Sequence, residues 1–133
     1  MNMTFSRMWT ARFSDCDPFG IAHYPRIVEA IHDTSAIFME SVGWPYHSMS
    51  RKHGFGFPIV AVELEFEKPI RAGDQVEITL TYELGNSSLR FDYTGRIDGS
   101  VAFEGYEQRV CVEVDGDEGI AIPDELRQAL SAN

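Results

Sequence analysis

The residues that could most readily carry out a reaction lie near the amino end, in the run Asp15-Cys16-Asp17-Pro18-Phe19-Gly20-Ile21-Ala22-His23-Tyr24-Pro25. Asp17 stands in a loop interrupted by proline and glycine. Pro25 follows where a helix is expected to begin, because proline is favoured at the first helical position. The N–H groups beside Tyr24, the expected cap, then face the Asp17 carboxylate. Such N–H groups can polarise a carbonyl, and the carboxylate can attack it or activate a water, which indicates acyl transfer.

This stretch resembles the active-site loop of the 4-hydroxybenzoyl-CoA thioesterase family of hotdog-fold proteins. The run Asp15-Cys16-Asp17-Pro18-x-Gly20-Ile21-x-x-Tyr24-Pro25 is similar to that loop almost residue for residue. Weaker similarity extends from about Phe5 to Val114. The resemblance implies an acyl-CoA thioesterase that releases free acid and CoA, with an aromatic acyl group favoured. It implies no cofactor, since coenzyme A is part of the substrate.

The resemblance also implies roles within the loop. Asp17 attacks the thioester carbon or positions a water, and both routes stay open. The backbone N–H of Tyr24 polarises the carbonyl, and Gly20 allows the chain to turn close to the ligand. An Asp in such a loop also commonly caps a turn, which is the structural alternative. Asp15 is expected to accept N–H groups within the loop, and a Cys16 nucleophile is disfavoured by its two acidic neighbours.

Two histidines are candidates for the acyl pocket. His23 stands where similar proteins often carry a bulky aromatic residue. His32 stands where the 4-hydroxybenzoyl enzyme carries an aspartate that holds the substrate's phenol. Asp33 cannot replace that aspartate, because one residue turns a helix by about 100°. We expect His32 to recognise a differently substituted ring or a carboxylate, or to be a buried, satisfied histidine. The remaining expected pocket walls are Phe57, Pro58 and Ile59.

Contacts to the CoA phosphates are less well defined. The 4-hydroxybenzoyl enzyme has a cationic run near Ser88, whereas this chain reads Gly85-Asn86-Ser87-Ser88. Our candidates are Ser88, Arg90 and Arg71, with Arg96 and Lys68 as further cations. Each cation is also compatible with an ordinary solvated surface position.

Composition limits the other possibilities. The 133 residues predict one domain spanning residues 1–133, and a net charge of −10 argues against nucleic acid and disfavours an acidic carrier protein. The two cysteines predict neither a disulfide framework nor a metal site. No apolar run is long enough for a membrane span, and residues 1–7 lack a secretory signal, so we expect a cytoplasmic protein without a membrane partner.

Hydrophobic periodicity predicts a strand, a long helix and then antiparallel strands. The expected elements are a strand over Phe5–Phe13, a helix over Pro25–Val42, strands over Pro58–Pro69, Val76–Tyr82, Leu89–Tyr93 and Val101–Val114, and a helix over Pro123–Leu130. A bulge is expected near Gly105 and a tight turn at Asp98-Gly99. Residues 44–57 are expected to be irregular.

Periodicity alone gives an α+β fold, and the resemblance implies a hotdog fold: a five-stranded antiparallel sheet wrapped around a long central helix. Similar proteins pair edge to edge with active sites at the interface, which implies a homodimer or homotetramer acting on a small-molecule acyl-CoA. Two alternatives stay open. One is a non-catalytic acyl-CoA-binding hotdog protein. The other is a 3-hydroxyacyl thioester dehydratase, which the adjacent His32 and Asp33 disfavour.

Overall fold

One long helix and the sheet that packs on it organise the fold. The computed structural model describes residues 4–131. Residues 1–3 of the amino-terminal segment, and residues 132–133 at the end of the expected domain, lie outside the described residues. The strands are β1 Phe5–Thr10, β2 Phe55–Gly56, β3 Ile59–Phe66, β4 Gln75–Leu84, β5 Ser88–Ile97, β6 Ser100–Val110 and β7 Val112–Glu113. The helices are α1 Tyr24–Ser41, α2 Tyr46–Ser48 and α3 Asp124–Ser131. The main sheet is antiparallel in the order β1-β4-β5-β6-β3, and β2 pairs with β7.

A proline and a glycine mark the two ends of helix α1. Pro25 occupies its first turn, and Gly43 follows its end with a φ of 86°, a left-handed conformation that favours glycine. Its buried side chains recur at helical spacing and are Ile27, Ala30, Ile31, Thr34, Ser35, Phe38 and Met39. The predicted helix is confirmed, and its buried face packs under the sheet.

An aromatic cluster joins α1 to the sheet. The ring of Phe38 lies 5.6 Å from that of Phe5 on β1, 5.2 Å from Tyr82 on β4 and 6.2 Å from Phe91 on β5, centroid to centroid. Alternate residues of β4 and β5 are buried, as the period-two pattern predicts. The α+β class with a five-stranded antiparallel sheet is therefore confirmed.

Two details of the predicted elements are wrong. Strand β1 ends at Thr10, before a 3₁₀ turn at Phe13–Asp15. The bulge in β6 falls at Ala102 and not at Gly105, since Gly95 pairs with Phe103 while the next residue of β5 pairs with Val101. Both Ala102 and Phe103 are buried, and a Cβ on Gly95 would lie 2.2 Å from the Phe103 ring. Glycine at position 95 thus makes room for the aromatic ring that the bulge turns inward.

Strand β3 leaves an unusual surface at the edge of the sheet. It pairs with β6 on one side only, and every residue except Leu64 is exposed. Val60, Val62 and Phe66 expose 60%, 50% and 49% of their surface, respectively. An open, apolar edge strand invites pairing with another strand.

Across residues 4–131, no helix is long and apolar enough to cross a membrane.

Packing of α1 predicts a contrast between two isoleucines of the same helix. Ile31 is fully buried, whereas Ile37 is 39% exposed. Ile31→Ala should lower the free energy of unfolding by about 2–5 kcal/mol, because it removes core contacts and leaves a cavity. Ile37→Ala is the matched control and should lower it by less than about 1 kcal/mol. Urea denaturation measures both, and equal losses would contradict this orientation of the helix.

Candidate active site

A short backbone ladder shapes the loop that carries Asp17. The N–H of Asp17 donates to the carbonyl of Ile21 over 2.8 Å, and the N–H of His23 donates to that of Asp15 over 2.7 Å. At the tip, the Gly20 N–H donates to the Asp17 carbonyl over 2.9 Å, and Gly20 has a φ of 78°. The loop therefore closes on itself and delivers the chain directly into α1.

The carboxylate of Asp17 is oriented by its own loop. Its Oδ1 accepts the N–H of Phe19 over 2.9 Å and that of Ile21 over 3.2 Å. Its Oδ2 has no hydrogen-bond partner within residues 4–131. Half of the carboxylate thus caps a turn, as the structural alternative predicts. The other half is left available for a reaction.

Tyr24 is the first residue of α1 and not its cap, so that detail of the prediction is wrong. The cap is His23, whose carbonyl accepts the Arg26 N–H over 2.9 Å. Pro25 has no N–H, which makes Tyr24 the first backbone donor of the helix. In the part of the chain that the structure describes, this N–H donates to no acceptor. An unpaired donor at the positive end of an 18-residue helix suits a carbonyl oxygen that gains negative charge.

A cavity of about 340 Å³ adjoins this helix terminus. Its lining residues are Ile21, Ala22, Tyr24, Ile27, Phe66, Glu67, Lys68, Pro69 and Ile70. The Ala22 N–H donates to the Ile70 carbonyl over 2.7 Å, and Ile21 bridges to Arg71, which ties the loop to the chain before β4. The walls are mainly apolar, so this cavity can take an uncharged group beside the Tyr24 N–H.

A second cavity of about 350 Å³ lies near the start of β3. It is lined by His32, Tyr46, Met49, Ser50, Gly56, Phe57, Pro58 and Arg109. Of the predicted pocket residues, the structure brings together His32, Phe57 and Pro58 here. Ile59 is the next residue and is 42% exposed outside this lining. His23 lies apart from them, exposed, with its ring edge-on to Tyr24 at 5.6 Å.

A buried ion pair adjoins the second cavity, and neither of its residues was among the predicted site residues. The Nη2 of Arg109 lies 3.2 Å from Oε1 of Glu107 and 2.9 Å from Nδ1 of His32, while its Nη1 donates to the Phe57 carbonyl over 3.0 Å. The hydroxyl of Tyr93 donates to Glu107 over 2.6 Å. The Arg109 and Glu107 side chains are 4% and 0% exposed. The sequence carried a signal, because residues 107 and 109 alternate onto the inward face of β6 beside buried Phe103 and Cys111.

Two tyrosines near this pair keep their protons at neutral pH. Burial raises the pKa of Tyr46 to about 12, and its hydroxyl donates to Oγ of Ser35 over 3.1 Å. Burial, followed by the nearby Glu107 carboxylate, raises the pKa of Tyr93. Both hydroxyls therefore act as donors in a rigid polar cluster.

The structure separates the candidate CoA contacts. Ser88 begins β5, and Arg90 is paired with Asp92 at 3.0 Å and stacked 4.0 Å above the Tyr106 ring, so its charge is already matched. Arg71 instead lies beside the Asp17 loop. Its guanidinium has no hydrogen bond or ion pair within the described residues.

Within residues 4–131, no three His, Cys, Asp or Glu side chains are arranged to hold a metal ion. The Cys16 thiol points to the Arg12 carbonyl, with a sulfur–oxygen distance of 3.5 Å. Asp15 accepts the Arg12 N–H over 2.8 Å, which confirms its expected structural contact. Of the loop residues described here, Asp17 keeps a carboxylate oxygen without a partner and Tyr24 an N–H without an acceptor within residues 4–131.

Sheet, central helix and loop together define a hotdog-fold thioesterase. The family model of the thioesterase-like superfamily matches residues 11–130. The chain belongs to this superfamily and is a thioester hydrolase.

Three known proteins are similar to this chain over most of its length. It is 24% identical to 1,4-dihydroxy-2-naphthoyl-CoA hydrolase of Nostoc punctiforme, over 100% of this chain and 89% of that protein. A solved gentisyl-coenzyme A thioesterase is 27% identical with a TM-score of 0.84, over 95% of this chain and 99% of that one. A mutant 4-hydroxybenzoyl-CoA thioesterase bound to 4-hydroxybenzoyl-CoA is 22% identical with a TM-score of 0.83, over 96% and 98%. The last likeness concerns the fold, which is the hotdog fold predicted.

The tip of the Asp17 loop predicts a second contrast. Gly20 and Gly99 have φ values of 78° and 81°, so alanine at either position should cost roughly 1–2 kcal/mol of stability. Gly99 lies in the Asp98-Gly99 turn between β5 and β6, which confirms that predicted turn. Only Gly20→Ala should also slow thioester hydrolysis, followed as released thiol, by about tenfold or more, because it displaces Asp17. Equal activities of the two variants would separate the loop from catalysis.

Proposed function

We propose that this protein is an acyl-CoA thioesterase acting on an aromatic acyl group. The observation that carries the proposal is one carboxylate oxygen of Asp17 left without a partner, in a loop that leads directly to the unpaired N–H of Tyr24. These are the two functions that thioester hydrolysis needs: a nucleophile or base, and a donor for the carbonyl oxygen.

In the proposed reaction, the thioester carbonyl accepts a hydrogen bond from the Tyr24 N–H. By one route, Oδ2 of Asp17 bonds to the carbonyl carbon, the carbon–sulfur bond breaks, and water hydrolyses the resulting anhydride. By the other, Asp17 takes a proton from the water that attacks. Both routes release CoA as a thiolate, which leaves without a separate general acid. The hydrogen bonds from Phe19 and Ile21 hold the carboxylate in place in either case.

The aromatic acyl group is supported by two independent observations. The relatives act on dihydroxynaphthoyl, gentisyl and hydroxybenzoyl thioesters, which all carry aromatic rings. Both cavities beside α1 have mainly apolar walls, and the second includes Phe57 and Pro58. For the CoA phosphates we propose Lys68 and Arg71, since both lie next to the Asp17 loop and form no ion pair within residues 4–131. A CoA ester as substrate fits a cytoplasmic enzyme.

We further propose that the protein is at least a homodimer that pairs through β3. The strand offers eight residues with one open edge, and its exposed Val60, Val62 and Phe66 would be covered by a second copy. Antiparallel self-pairing would place the start of one β3 beside the end of the other. The cavity at Arg109 of one copy would then adjoin the Tyr24 cavity of its neighbour.

Asp17→Asn tests the catalytic assignment. The amide keeps an oxygen for the two loop N–H groups but is a poor nucleophile and base, so kcat/KM for aromatic acyl-CoAs should fall by about 10²–10⁴-fold. Asp74→Asn is the matched control, because Asp74 also accepts a backbone N–H, that of Arg71 at 2.8 Å. It should retain activity. Full activity in Asp17→Asn would refute the mechanism, and tight binding without turnover by wild type would favour a binding protein.

Val62→Lys tests the proposed dimer. Near the middle of β3, lysine places two like charges close to the symmetry axis, so the variant should run as a single chain in light scattering after size exclusion. Val114→Lys is the control, since Val114 is similarly exposed at 53% but lies outside β3. It should keep the wild-type mass. A monomeric wild type, or an unchanged mass for Val62→Lys, would rule out pairing through β3.

A further inference from the structure

A bulge in the sheet turns the end of β3 toward the cavity beside Tyr24. Successive side chains of a regular strand point to opposite faces. Phe66, the last residue of β3, and the next two residues, Glu67 and Lys68, nevertheless all line this one cavity. The N–H groups of Glu67 and Lys68 both donate to the carbonyl of Ala102, the bulged residue of β6, over 2.8 and 3.3 Å. The bulge therefore ends the alternation of the strand and places a carboxylate at the cavity.

Glu67 has the one acidic side chain among the described residues that line this cavity. The residue is exposed, and its carboxylate forms no hydrogen bond or ion pair within residues 4–131. An exposed, unpaired carboxylate on a cavity wall can contact a water molecule and accept a proton from it. Glu67 therefore offers a base at the cavity where the proposed reaction takes place.

The Asp17 carboxylate approaches the same cavity from its own loop. Its Oδ1 accepts the N–H of Ile21, one of the lining residues, over 3.2 Å. The N–H of Ala22 donates to the carbonyl of Ile70 over 2.7 Å, which ties the loop to the segment that carries Glu67. Two carboxylates, on two segments joined by this bond, thus accompany the unpaired N–H of the helix.

The nucleophilic route of hydrolysis needs a second base, because it uses up the first carboxylate. Once Oδ2 of Asp17 has bonded to the carbonyl carbon and CoA has left, Asp17 is part of a neutral anhydride and cannot take a proton. The water that attacks this anhydride must lose a proton as its oxygen bonds to the acyl carbon. A separate carboxylate at the same cavity can accept that proton.

We propose that Glu67 is the general base for the second half of the reaction and that Asp17 is the nucleophile of the first half. The proposal rests on the acyl-CoA thioesterase function above and selects one of its two routes. Water bonds to the acyl carbon, Glu67 takes one of the two water protons, and the bond between that carbon and Oδ2 of Asp17 breaks. The products are the free acid and the Asp17 carboxylate, and Glu67 then returns its proton to solvent.

The test uses Glu67→Gln and whichever of benzoyl-, 4-hydroxybenzoyl- and 1,4-dihydroxy-2-naphthoyl-CoA wild type hydrolyses fastest. Glutamine keeps the size of the side chain but cannot take the proton, whereas acylation of Asp17 does not need that base. The variant should release about one equivalent of thiol per active site in a rapid burst and then turn over about 10²–10⁴-fold more slowly than wild type. Turnover within about twofold of wild type, or slow turnover without a burst, would overturn the proposal.

Mass spectrometry of the acid-quenched Glu67→Gln protein checks the intermediate directly. The protein should gain the mass of the acyl group, and fragmentation should locate that group on Asp17. Hydroxylamine attacks an acyl group without a protein base, so it should restore turnover and yield the hydroxamic acid faster than in protein-free buffer. An unmodified protein during slow turnover would refute this order of steps.

Two further variants separate a base from a structural role. Glu67→Asp keeps a carboxylate and should recover part of the steady-state rate. Glu104→Gln is the matched control, because Glu104 is an exposed glutamate of β6 outside the cavity lining, and it should retain the wild-type rate. Equal losses in Glu67→Gln and Glu104→Gln would contradict the proposal. Failure of the thioesterase function itself is distinguishable, since wild type would then hydrolyse none of these esters in an Asp17-dependent way.

Discussion

The backbone ladder between residues 15–17 and 21–23 is the constraint on which the site depends. In this ladder, the N–H groups of Asp17, Gly20 and His23 donate to carbonyls of the same loop. The N–H groups of Phe19 and Ile21 donate to one oxygen of the Asp17 carboxylate and hold it in place. The N–H of Tyr24 has no acceptor among the described residues, and Pro25, the next residue, has no N–H. A carboxylate oxygen and a helix N–H are therefore left unpaired by one short run of chain. Hydrogen bonding within this one loop thus determines which polar groups stay available to a substrate.

The sheet and α1 supply the remaining requirements at a distance from that loop. Phe38 fixes the helix under β1, β4 and β5, and the bond from Ala22 to Ile70 anchors the loop to the chain that enters β4. The buried pair of Glu107 and Arg109 then sets a polar point near the start of β3. Two cavities result along one helix, one beside the Tyr24 N–H and one beside His32.

Much of this architecture could be predicted because its signals are local. Alternation in β4 and β5, the stripe of α1 and the punctuation by Pro25 and Gly43 act over a few residues. The bulge at Ala102 could not be placed, since it depends on Phe103 packing over Gly95 across two strands. The partnership of Arg109 with His32 was missed for the same reason: it joins residues that are 77 positions apart. Asp17 and Tyr24 were selected from their motif, and their catalytic roles remain proposals.

The most direct test is a crystal structure of the Asp17→Asn protein with an intact hydroxybenzoyl-CoA bound. We expect the thioester carbonyl oxygen about 2.7–3.1 Å from the Tyr24 nitrogen, with the side chain at position 17 next to the carbonyl carbon. A thioester bound with its carbonyl directed away from the amino end of α1 would contradict the account.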